Sequence, residues 1–429
     1  MNKKLLALSL VAMPGLMAQE TSETKTTHEQ TGYCNTCCCT PCCCVPKPKK
    51  CIDCECYTPA FYDLQCDFGF FLDAAFLYWY ARETNLSYGL KIQAKERTFV
   101  NGTVILPDLV FAPQSYQHLG TQWDPGVRVG AGFNSECDGW DYYLNWTYFH
   151  NKKKSSETVP STYGLGLPPT PNLAAEDEFL LLNPWINASF HDFSTDAPVM
   201  TFDKIAAKWR FNFNQIDLEL GRKYWLSRCF NLRPYTGLRG AWTKTKFRTK
   251  STRVRSVTND GDYDISFKDR FRTRNWGAGL LGGIQPNLYF CSNFLLYGNV
   301  DVALIWGEFE VKKRENYVQS FTNTVGEQTL DPSYSNSSTN KFFQMNAILD
   351  LAIGLRWEES WCCDQYRSAL DLGWEHHIWF DHNHRNKTSD FFVGSNGSTV
   401  PQENGFRMYD EATGNLGYGG LVIRLRFDF

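Results

Sequence analysis

Leu421-Val422-Ile423-Arg424-Leu425-Arg426-Phe427-Asp428-Phe429 alternates apolar and polar side chains almost without a break. Successive side chains of an extended strand point to opposite faces. Leu421, Ile423, Leu425, Phe427 and Phe429 therefore share one face, and Val422, Arg424, Arg426 and Asp428 share the other. One side of this strand wants hydrocarbon and the other wants water or a counter-charge.

The same period of two recurs upstream. Between Asp67 and Arg82, Phe68, Phe70, Leu72, Ala74, Phe76, Tyr78 and Tyr80 alternate with small or acidic residues, Asp73 among them. Val127, Val129, Ala131 and Phe133 alternate with Arg128 and glycines, and after a tight turn at 135–138 Trp140, Tyr142, Leu144, Trp146 and Tyr148 alternate with Asp141, Asn145 and Thr147. Trp209, Phe211 and Phe213 alternate with Lys208 and Arg210, and Ile216, Leu218 and Leu220 with Asp217 and Glu219. These two runs are out of phase, which a β-bulge near Asn214–Gln215 explains if the apolar face is the same throughout. Met345 to Leu355 alternate with Asp350 and Arg356, and Leu370, Leu372 and Trp374 with Asp371 and Glu375.

A soluble sandwich would bury the apolar face; a membrane barrel turns it to lipid and keeps a polar interior. Several runs here exceed a dozen residues, and a charge sits on the polar face of nearly all. Short turns near 135–138, 221–231, 286–292 and 358–366 alternate with long polar loops at about 82–122, 151–203, 247–271, 312–340 and 381–414. That asymmetry, with an amphipathic closing strand ending on Phe429, predicts an all-β transmembrane antiparallel barrel with an even strand number of roughly 10–16.

Composition agrees. The 429 residues carry 43 Lys plus Arg against 46 Asp plus Glu, a net charge of -3 that gives no drive toward nucleic acid. Beyond the first twenty residues no apolar run reaches the ~18–20 of a membrane helix. Aromatics at 15 % argue against a disordered chain. Lys3 and Lys4 followed by apolar Leu5 to Leu16 read as a secretory signal peptide over 1–18. Residues 19–66 read as a Cys-rich tail, disordered or disulfide-linked, and 67–429 as the barrel.

The cysteines number 16. Cys34, Cys37, Cys38, Cys39, Cys42, Cys43, Cys44, Cys51, Cys54, Cys56 and Cys66 crowd the tail; Cys137, Cys229, Cys291, Cys362 and Cys363 fall in short turns. With the closing strand ending in the periplasm, every one lies at the periplasmic end. In an oxidising compartment this placement suggests disulfides, within the chain or to other periplasmic or envelope proteins. Tolerance of Cys in turns and thiolate metal binding are the competing readings; adjacent triple Cys does not fit a simple paired zinc site.

Arg128-Val129-Gly130-Ala131-Gly132-Phe133 with Asp138 to His150, and Asp217 to Arg222 with Arg233 to Trp242, resemble the corresponding hairpins of chlamydial major-outer-membrane-protein-like porins, including those of environmental chlamydiae. The resemblance covers roughly 67–429 in outline. It implies a barrel porin, often a homotrimer surrounded by outer-membrane lipid, in a disulfide-linked envelope. The dense N-terminal Cys cluster departs from the better-known members.

In such a barrel the inward side chains set conduction. By alternation they are basic Arg128, Lys208, Arg210, Arg233, Arg239, Arg356, Arg424 and Arg426, and acidic Asp67, Asp73, Asp141, Asp217, Glu219, Asp301, Asp350, Asp371 and Glu375. Such balance points to weak ion selectivity, or to groups that pair across the lumen and fill it. The loop 244–274 carries ten basic residues against four acids; it suits anionic sugars, an inward constriction, or a solvated loop balancing lipopolysaccharide charge. Asp260, Asp262 and Asp264 lack the Gly and Glu of a calcium loop, and His376, His377, His382 and His384 read as interface or loop histidines. No nucleophile elbow, P-loop or zinc-helix motif occurs. The sequence thus predicts a non-enzymatic porin of the bacterial outer membrane, without cofactor or metal, that passes small hydrophilic solutes and ions; the alternative is a structural or adhesive envelope barrel with little conduction.

Overall fold

The last strand hydrogen-bonds back to the first. A computed structural model describes residues 69–96, 109–134, 140–159, 179–186, 202–227, 229–257, 261–290, 293–323, 326–330, 333–362, 365–392 and 405–429. Residues 1–18, expected as a signal peptide, 19–66, expected as the Cys-rich tail, and Asp67, Cys137, Cys291 and Cys363 lie outside them. The strands are β1 (Phe70–Glu83), β2 (Ser87–Glu96), β3 (Leu109–His118), β4 (Trp123–Asn134), β5 (Trp140–Thr158), β6 (Phe179–Leu182), β7 (Lys204–Arg222), β8 (Tyr224–Ser227), β9 (Phe230–Val257), β10 (Gly261–Tyr289), β11 (Phe294–Asn323), β12 (Gln328–Leu330), β13 (Tyr334–Trp361), β14 (Tyr366–Phe392) and β15 (Gly405–Asp428).

Ten of these close a ring in the order β1-β4-β5-β7-β9-β10-β11-β13-β14-β15 and back to β1, every neighbour antiparallel. The seam places Leu72 opposite Phe427 and Tyr78 opposite Leu421. The Phe429 amide donates to the Phe70 carbonyl at 2.9 Å. Closure leaves no unpaired edge, which lipid would not tolerate. β8 and β12 are short additions on β9 and β11, and β2, β3 and β6 form a separate three-stranded sheet. Among the described residues no helix is long and apolar enough to cross a membrane.

The apolar face of the barrel strands looks outward. Phe76, Leu144, Leu218, Leu280, Val302, Ile353, Leu372 and Leu425 are all exposed. Aromatic side chains rim the belt: Trp242, Trp276, Trp306 and Phe343 at one end, Phe70, Phe133, Phe294, Trp361 and Phe427 at the other. A crossing strand needs ~9–11 residues, yet β9, β10, β11 and β13 have 28, 29, 30 and 28. All the surplus extends from one end, opposite the short turns.

Three expectations are corrected. The long polar segments near 247–271, 312–340 and 381–414 are in large part strand: β9 and β10 pair from Val257 opposite Gly261 down to Phe230 opposite Leu288. No bulge occurs at Asn214–Gln215; β7 runs in unbroken register against β9, with Asn214 opposite Trp242 and Gln215 opposite Ala241. Consequently Trp209, Phe211 and Phe213 share the inward face of Gln215, Asp217 and Glu219, while Lys208 and Arg210 point outward rather than into the lumen. The phase is constant; the environment changes. Beyond the acyl chains the outer wall meets polar heads and water and takes the charges, and the interior becomes the dry side. The register slip that does occur is in β14, between Trp379 and Asn383, where Asp381 adopts φ 51°.

Candidate functional site

The interior has two storeys. Toward the short turns lies a charged chamber of ≈ 210 Å³ whose walls include every sequence-derived inward residue within the described chain except Lys208, Arg210 and Asp371; Asp371 is buried behind Arg356 and Arg424. Its groups are paired. Arg239 on β9 reaches Asp217 through Nε at 2.8 Å and Nη2 at 3.0 Å, Asp301 at 3.4 Å, and Asp350 through Nη1. Asp350 also meets His377 Nδ1 at 2.7 Å. Arg128 grips Glu375 through Nη1 and Nη2, at 2.9 and 2.8 Å, and donates through Nε to Thr147 at 3.0 Å. Asp371 accepts from Arg356 and Arg424. Arg233 binds Asp141, Glu219 and Gln285, and Tyr143 donates to Asp73 at 3.1 Å.

These pairs span the barrel. Arg128 on β4 reaches Glu375 on β14 past β1 and β15; Arg239 on β9 reaches Asp350 on β13 past β10 and β11. Bidentate Arg–carboxylate geometry holds each side chain in one place. Stranding one partner of a buried pair typically costs about 3–5 kcal/mol, so the network is a fixed filling.

Above it the interior is aromatic. Trp79, Phe149, Trp209, Phe211, Phe213, Trp379 and Tyr418 are each at most 1 % exposed. They touch across the lumen: Phe213 lies 4.9 Å from Tyr418 and 6.0 Å from Trp379, centroid to centroid. β7 and β14 are five places apart in a ring of ten, so the second contact spans a diameter. Thr243 of β9 and His382 of β14 bridge the same level at 2.8 Å. Higher still, Asn183 and Trp185 after β6 turn into the barrel mouth. Asn183 donates to Ser251 at 2.9 Å and Asp269 at 3.2 Å; Trp185 donates to the Ser87 carbonyl and stands edge-on to Phe247 and Phe271. Arg385 pairs with Glu83 at 2.6 Å and lies over the Trp185 and Phe247 rings.

Strand number explains the filling. About 8 strands leave room only for side chains or one small ligand, and ~16–18 leave an aqueous channel; ten is close to the first case. The charged storey was legible as alternation. The aromatic one was not, because its residues resemble lipid-facing ones. His377, Tyr143 and Tyr297 also enter the chamber, and Tyr235 donates to Asp301 at 3.0 Å. Among the described residues no group of three or more His, Cys, Asp or Glu is placed to hold a metal ion. Of the disulfide candidates, Cys229 and Cys362 are described. Both lie in short turns, and Cys229 is disulfide-bonded.

A closed antiparallel barrel with an outward apolar belt, aromatic rims and a charged interior defines an outer-membrane β-barrel protein. The model of the Legionella pneumophila major outer membrane protein precursor family matches residues 67–429, and the chain belongs to that family. Of the expected resemblance, membership of an outer-membrane protein family is shown, and that family is the Legionella one rather than the chlamydial one. No curated protein matches. Among solved structures, the chain is similar to the outer membrane protease OmpT of Escherichia coli (10 % identity, 84 % of this chain and 96 % of that one, TM-score 0.30). It is also similar to the Pseudomonas putida toluene transporter TodX (6 %, 84 % and 90 %, TM-score 0.24) and to a Pseudomonas aeruginosa FadL homologue (7 %, 86 % and 91 %, TM-score 0.21). The activities in those descriptions belong to those proteins.

Proposed function

We propose that this chain is an outer-membrane barrel whose lumen is closed at rest, and that it serves the envelope as a scaffold and a surface-exposed structure. The observation that carries this reading is the diametric contact of Phe213 with Trp379 above a charged chamber crossed by the ion pairs of Arg128, Arg233 and Arg239. The surplus strand length supports it, because so much ordered sheet beyond the belt forms a large exposed structure. With the short turns periplasmic, Cys362 lies, like the already disulfide-bonded Cys229, on the side where cross-links to the tail, to a second copy or to envelope proteins would form. Liposomes carrying the refolded chain test it: no swelling in small sugars beyond that of empty liposomes is expected, and swelling at the rate of an open porin would overturn it.

Passive diffusion of small hydrophilic solutes and ions is the second reading, and the hydrophilic chamber favours it. Balanced charge would make such a pore weakly selective, and a homotrimer would suit it. It requires the aromatic storey to part, and it expects swelling.

A further inference from the structure

Two rows of basic side chains cross the outer wall just beyond the aromatic rim. Lys154 lies opposite Lys208, Lys208 opposite Arg248, Arg248 opposite Arg270, and Arg270 opposite Arg314. One outward position nearer the belt, Lys152, Arg210, Lys246, Arg272 and Lys312 repeat the arrangement on the same five strands. All are exposed or half-buried. Lys312 is held by Glu310 at 2.8 Å; among the described residues the other side chains have no carboxylate partner, Asp124 meeting Lys152 only at its backbone amide. Lys154, Lys208, Arg248, Lys250, Lys268 and Arg270 also border a depression of ≈ 510 Å³.

Like charges directly opposite on a sheet repel. Neighbouring strands lie ~4.8 Å apart and same-face residues ~6.7 Å apart, so the rows form a tight grid of cations. The Lys208 ammonium is pulled below its ordinary range first by Arg210, then by desolvation and by Lys154, Arg248 and Lys152. A folded sheet keeps such a grid when an anion neutralises it. Its place says which anion. Trp242 and Trp276 face each other at the rim; the rows lie four and six residues beyond, ~13 and ~20 Å along tilted strands. With strands tilted ~40° the rows stand ~10 and ~15 Å above the rim, past the acyl chains and level with the sugar-phosphate heads of a glycolipid.

We propose that this grid binds several phosphates of a phosphorylated glycolipid in the surrounding leaflet. The test titrates the full chain, refolded in detergent, with bisphosphorylated lipid A and with the same lipid dephosphorylated. The wild type is expected to prefer the phosphorylated lipid at least tenfold. A Lys208→Gln, Arg248→Gln, Arg270→Gln, Arg314→Gln variant should lose that preference, and Arg248→Lys, Arg270→Lys should keep it. Folding is checked by heat-dependent gel mobility; should the Gln variant not fold, the wild-type comparison of the two lipids decides. Equal affinity for both lipids, or binding of heparin without any lipid preference, would overturn the proposal.

Discussion

Phe213 and Trp379 meet edge to face across the full width of the barrel, ring centroids 6.0 Å apart and planes at 86°. Neither touches lipid, and both are at most 1 % exposed. Tyr418 completes the contact, 4.9 Å from Phe213, with its hydroxyl accepting from Trp379 Nε1 at 3.0 Å.

Truncation of this bridge is expected to cost stability. Phe→Ala or Trp→Ala in a closed core typically removes ~3–5 kcal/mol. Phe213→Ala and Trp379→Ala should each lower the urea midpoint of the vesicle-embedded barrel. Because the side chains touch, the double variant should lose less than the sum of the singles. Strict additivity would mean that the rings do not meet.

Arg239 is the hub of the charged storey, and its removal strands Asp217, Asp301 and Asp350 together. Arg239→Met should therefore destabilise by about 3–5 kcal/mol. Arg239→Lys should recover only part, since an ammonium lacks the planar fork that grips Asp217 through two nitrogens. Equal stability of the Lys variant and the wild type would show that charge alone suffices.

How much of this was legible follows from physical setting, strand by strand. In β15 and β1 the alternation of Leu425 with Arg426, or Phe76 with Ala75, reports lipid against interior, and the sequence reading of faces and closure holds. In β7 it misleads. Lys208 and Arg210 sit beyond the acyl chains, where the outer wall meets polar heads and water, so the charged face is outside and Trp209 and Phe211 fill the centre. Periodicity gives two faces; it does not say where the solvent changes. In β9, Thr243, Thr245, Thr249 and Ser251 alternate with Lys and Arg. With little apolar contrast the segment read as a loop, and its strand character comes from pairing with β7 and β10.

Asp269 lies on β10, seven residues beyond Trp276 and clear of the belt. Burial, then the negative charge of Glu315, pushes its carboxyl up to about 7, against the opposing pull of Lys313 and hydrogen bonds from Thr249 and Asn183. A carboxyl raised in the folded state binds more protons there than in the unfolded chain, so its contribution to stability falls as pH rises from about 4 to about 7. Asp269→Asn should flatten that slope and be neutral to stabilising at pH 8, by urea unfolding across pH. A slope unchanged in the variant would remove Asp269 from the account.

Trp185 pins the turn after β6 against Phe247 and Phe271. Trp185→Ala should release this segment without unfolding the belt. Proteolysis near 179–186 should accelerate while the barrel keeps its heat-dependent gel mobility. A cleavage rate equal to that of the wild type would show that the ring does not hold the turn.

Single-channel recording of the wild type beside the Phe213→Ala, Trp379→Ala double variant tests the closed lumen most directly. The wild type should remain silent in planar bilayers while the variant shows small, weakly selective steps. Reproducible steps from the wild type, unaltered in the variant, would contradict the account.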